Sequence, residues 1–70
     1  MSDTVLPVKS LERLDDILSE ESVAIKKYHF YAASCTDPKL KTIYENAEQM
    51  HRRHFESIFK HLNAYASKSN

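Results

Sequence analysis

Near the middle of the chain runs Ala33-Ser34-Cys35-Thr36-Asp37-Pro38-Lys39-Leu40. Pro38 disfavours helical geometry at Asp37, and a proline fits the first turn of a new helix. Thr36 or Asp37 can cap that new helix by accepting from its free amide groups. The stretch therefore reads as a break between two helices. On its N-terminal side an apolar seam with 3-and-4 spacing passes through Leu11, Leu14, Leu18, Glu21, Ile25, Tyr28, Ala32 and Cys35. On its C-terminal side a second seam passes through Leu40, Tyr44, Ala47, His51, His54 and Ile58, with Leu62 and Tyr65 beyond. That spacing is the mark of amphipathic helices. The expected organisation is a flexible arm over residues 1–9, a helix over about 10–34, a turn at 35–38, a helix over about 38–66, and a fraying tail at 67–70. Ser10 is the expected cap of the first helix, with Glu12, Asp15 and Asp16 near its positive end. Each helix is roughly 25–28 residues, or about 40 Å long.

Composition narrows the class. With 70 residues the chain makes one small domain, which is marginal alone and needs a disulfide, a metal or oligomerisation. Cys35 is the single cysteine, so an intrachain disulfide is excluded, and Cys35 reads as a small apolar residue of the turn. Ten basic and ten acidic residues balance, and no basic face points to nucleic acid. Arg52, Arg53 and Lys60 read as a solvated cluster. No apolar run is long enough for a membrane span, and no secretory signal is visible, so a cytoplasmic protein is expected. Glycine is absent, which argues against a sheet protein with tight hairpins.

Both apolar faces are wide. Ile17, Ala24 and Tyr31 flank the first seam, and Ile43, Met50, Phe55 and Phe59 flank the second. Faces this broad suit helices with two neighbours. The expected fold is all-α: an antiparallel hairpin that closes as a homodimer into a four-helix bundle. Val23 and Phe30 lie about 180–200° from the seam, where isolated exposed apolar residues are ordinary; the alternative reading is a second contact that builds a higher assembly.

Glu21, His51 and His54 interrupt the seams. With the hairpin centre at about residue 36.5, the position level with Glu21 is about residue 52, which His51 and His54 straddle. Buried ionisable groups are costly unless paired or bound to metal. A carboxylate facing an i, i+3 pair of imidazoles suits a transition metal. A two-fold axis would bring two such sets together, giving two Glu21 and four histidines in one dimer. Glu48-Gln49-Met50-His51 is also literally Glu-x-x-His, the pattern of di-metal carboxylate bundles. Glu48 lies about 60° from the His51 direction. It is therefore placed second, as a flanking partner of a ligand histidine or as an alternative ligand. Tyr28 and Tyr44 are core positions whose hydroxyls come near enough to support a ligand carboxylate. His29 and His61 are expected in solvent. The competing expectation is a polar layer, with Glu21 and a histidine ion-paired, that only fixes register and partner choice.

The segment Glu21-Ser22-Val23-Ala24-Ile25-Lys26-Lys27-Tyr28 resembles the first-helix motif of ferritin-like proteins, Glu-x-x-Ala-Ile-x-x-Tyr. Leu18-Ser19-Glu20-Glu21, Lys27-Tyr28 and Asp37-Pro38-Lys39-Leu40, with a histidine-bearing second helix, resemble the two-helix encapsulated ferritins and the spore coat protein F group. The resemblance covers about residues 10–63. Carried over by position, the ligands it implies are Glu21 and His54, with His51 where the encapsulated ferritins carry a carboxylate. Two Glu21 and four neutral histidines supply fewer negative charges than two Glu-Glu-His sets. The resemblance implies iron handling, but the substitution weakens ferroxidase-type chemistry and favours a nitrogen-rich site. With this resemblance the expected cofactor is a transition metal, iron or zinc, with one or two ions per dimer. The coat protein resemblance implies instead a non-catalytic scaffold in the spore coat.

Overall fold

The computed structural model describes residues 8–69, with side chains described over residues 10–64. Helix α1 spans Val8–Ser34 and helix α2 spans Pro38–Ser69. They pack against each other as an antiparallel hairpin with extents of 54 × 16 × 16 Å. Among the described residues no helix is long and apolar enough to cross a membrane.

The turn follows the local chemistry of its residues. Asp37 is the cap of α2: its Oδ1 accepts from the amides of Lys39 at 2.9 Å and Leu40 at 3.3 Å. Its carbonyl accepts from the amide of Lys41 at 2.9 Å, the first bond of the helical ladder. The end of α1 tightens as the Cys35 amide donates to the Ala32 carbonyl at 3.3 Å. No described residue has positive φ, so the connection needs no glycine. The Cys35 thiol donates to the Asp37 carbonyl at 3.5 Å.

Two boundaries differ from the sequence expectation. α1 begins at Val8, so Ser10 lies inside its first turn and is not the cap. α2 continues to Ser69, through most of the tail expected to fray. The rest of the expected arm, Met1 to Pro7, lies outside the described residues, as do Asn70 and the side chain of Tyr65.

The seam of α1 is the expected one, with Leu18 and Ala32 buried and Leu14, Glu21, Ile25 and Tyr28 partly buried. The seam of α2 keeps Tyr44, Ala47, His51, Ile58 and Leu62 of the expected one and takes in Glu48 and Phe55 beside them. His54 and Leu40, expected within it, are exposed. The two stripes share Tyr44, Ala47, His51, Ile58 and Leu62, so sequence spacing fits both. Phe55 hides more apolar area than His54 in the same layer, and the Glu48 carboxylate finds partners when it turns inward.

Leu18 and Ala32 are the buried apolar residues of the described hairpin. Tyr31, Leu40, Ile43 and Met50 remain exposed. At about 100° per residue, Ile43, Met50 and His54 fall on one flank of the α2 seam, and Ala24, Tyr28 and Tyr31 fall on the matching flank of α1. One side of the hairpin is thus an apolar face, with Glu21 and His54 at mid-length.

Candidate metal centre

The seams bring Glu21 from α1 together with His51 and His54 from α2. Each of the three offers one ligand atom, and these atoms lie within 4.8 Å of one another. His51 Nδ1 lies 2.5 Å from Glu21 Oε1, and His54 Nδ1 lies 3.5 Å from Glu21 Oε2. The side chains of Glu21 and His51 are 17% and 21% exposed, whereas His54 is 50% exposed. The cluster is therefore closed toward the hairpin interior and open toward the apolar face.

These distances define what the cluster can do. Two donors about 2.0–2.1 Å from one tetrahedral ion stand about 3.3 Å apart. Glu21 and His54 already have nearly that separation. Glu21 and His51 are closer, at hydrogen-bond distance, so a proton on Nδ1 joins them. An ion held by all three residues requires this pair to open slightly and release its proton.

Tyr28 meets the cluster with its ring. It stacks on the His51 imidazole with centroids 5.5 Å apart and planes 8° apart. Tyr31 and Tyr28 form a T-shaped pair with centroids 6.1 Å apart, and Tyr44 lies 6.3 Å from Tyr28. Tyr44 thus joins the aromatic layer beside the cluster.

Glu48 does not join the three candidate ligands. It is 7% exposed and belongs to the opposite flank of the seam. Its Oε2 accepts from Arg52 Nε at 3.0 Å and from Arg52 Nη2 at 2.9 Å. His29 Nδ1 lies 3.3 Å from both of its oxygens. The hydrogen-bonded Arg52 guanidinium holds the Glu48 carboxyl below the ordinary carboxylate range; burial opposes this shift, and His29 adds to it. His29, expected to be solvated, is a partner of this carboxylate even though its side chain is 69% exposed. Arg52, expected in a solvated cluster, is the main partner of Glu48. His61 is exposed, with Nδ1 3.1 Å from the Ser57 carbonyl. Val23 and Phe30 are 64% and 65% exposed.

The chain is 37% identical over 62 residues to a Bacillus subtilis (strain 168) protein described as uncharacterized protein YuzM; the match covers 89% of this chain and 76% of that one. No protein-family model matches the chain, and no solved structure does.

Proposed function

We propose that this chain, which belongs to the family of the Bacillus subtilis protein YuzM, binds a transition-metal ion through Glu21, His51 and His54. The observation that carries this reading is the convergence of one carboxylate and two imidazoles from two helices within 4.8 Å. Imidazole-rich donor sets suit zinc, copper, nickel and ferrous iron. The ferritin-like motif at Glu21 to Tyr28 adds iron to the reading, with metal handling in the cytoplasm as the role. His51 in a carboxylate's place disfavours di-iron ferroxidase chemistry.

The reading includes a homodimer, a ferritin-like four-helix bundle with one or two ions per dimer. It is supported by the small apolar interior of one hairpin and by the exposed Tyr31, Leu40, Ile43 and Met50. Two hairpins meeting on that face cover it and bring two Glu-His-His sets together.

Metal analysis of the purified protein tests the reading. Stoichiometric metal that disappears in Glu21→Ala and in His54→Ala supports it. Metal-free protein that stays a stable dimer in chelator contradicts it. Oxygen consumption on adding Fe(II) tests the oxidase variant separately.

One observation favours a second reading. Glu21 and His51 satisfy each other directly, as a polar layer that only fixes pairing would. On that reading the protein is a spore-coat-like scaffold, and exposed Val23 and Phe30 serve assembly. Sheets or particles that form in solution and are lost on Phe30→Ser support it.

A further inference from the structure

His51 is gripped at two places. Glu21 Oε1 holds its Nδ1 edge. The Tyr28 ring stacks beside it in an offset arrangement, nearly parallel at 8° and with centroids 5.5 Å apart. His54 has no such cover, with a side chain 50% exposed and its ring set edge-on to His51 at 82°. The two imidazoles are therefore unequal: one is held by a short contact and a stacked ring, and the other is half exposed with a longer contact to Glu21.

Tyr28 is itself fixed. Tyr31 and Tyr28 meet edge-to-face at 85°, and Tyr44 from α2 lies 6.3 Å from the Tyr28 ring. This layer runs from exposed Tyr31 through partly buried Tyr28 to the imidazole. A hydrogen bond at one nitrogen leaves a histidine ring free to swing about that bond, whereas a stacked ring removes the swing. Groups that orient a ligand histidine change metal affinity by about 10–100-fold.

From this arrangement we infer that Tyr28 is a positioning residue for the metal centre: its ring sets the plane of His51 and thereby the geometry in which the ion is held. The inference rests on the metal-binding reading of Glu21, His51 and His54. Tyr28 acts through stacking, so its hydroxyl is dispensable and its aromatic face is not.

The test uses Co(II), whose visible bands report coordination geometry, on the full chain. Tyr28→Phe keeps the ring and retains the wild-type bands, with affinity within about twofold. Tyr28→Leu removes the stack, weakens Co(II) binding by about tenfold and shifts the bands. Leu bands and affinity equal to wild type overturn the inference, as does a Phe variant that behaves like Leu. Where Tyr28→Leu fails to fold, the wild-type protein loaded with Zn(II) decides. Ring-current shifts of the His51 protons that persist on loading support the stack, and their disappearance overturns it. Wild-type protein that binds no Co(II) removes the underlying reading and this inference together, whereas a normal Co(II) site indifferent to Tyr28 removes the inference alone.

Discussion

Glu21 Oε1 stands 2.5 Å from His51 Nδ1, and this contact joins α1 to α2 at the level where both apolar seams turn polar. It gives the hairpin a polar tie between two partly buried side chains in place of a pair of apolar residues.

Loss of that tie exposes its strength. In metal-free protein, Glu21→Ala leaves the His51 imidazole without its acceptor in a largely covered position. Stability falls by about 1–2 kcal/mol, read as a lower urea midpoint at unchanged slope. A wild-type midpoint in the variant shows that the contact contributes nothing without metal.

Glu48 gives the molecule an acid-sensitive element. Its carboxyl titrates below the ordinary value of 4.5 in the folded chain, chiefly because Arg52 donates to it. Its folded pKa is depressed, so its stabilising contribution is fully present above that ordinary value and is lost as pH falls through the folded pKa. Glu48→Gln is therefore less stable than wild type at pH 7, and the difference shrinks as pH is lowered below 4.5. Urea titrations at pH 7, 5 and 3 measure this. A gap that stays constant with pH assigns the loss to packing.

Ile43 is 60% exposed on the face that carries the cluster. In the proposed dimer, Ile43→Glu places a carboxylate in an apolar interface and weakens association by about 100-fold, or about 3 kcal/mol. Sedimentation reports the shift to monomer, and circular dichroism reports partial melting of a hairpin with so small an interior. Sedimentation that is unchanged in the variant locates any dimer contact elsewhere.

Asp37 caps α2 with two side-chain contacts. Asp37→Ala lowers stability by about 1 kcal/mol, and Asp37→Asn recovers most of it. Equal stability in all three proteins assigns no stabilising role to the cap.

Much of this was legible in the residues. Pro38 and the capping side chain before it fix the turn, and the α1 seam follows its leucines. Counting from the turn puts Glu21 level with His51 because both helices rise equally per residue. The α2 seam was less legible, since two stripes share Tyr44, Ala47, His51, Ile58 and Leu62. Packing of Phe55 and pairing of Glu48 choose between them, and neither is a property of one helix alone. The i, i+4 spacing of Glu48 and Arg52 was the readable part of that pairing. His29 was not readable as its partner, because it comes from the other helix.

The central claim concerns Glu21, His51 and His54, and calorimetric titration of chelator-stripped protein with Zn(II) tests it most directly. The account predicts saturable binding at one or two ions per dimer, with affinity reduced by about 100-fold or more in His51→Ala and His54→Ala. Absence of saturable binding in wild type, or equal affinity in the wild type and both variants, contradicts it.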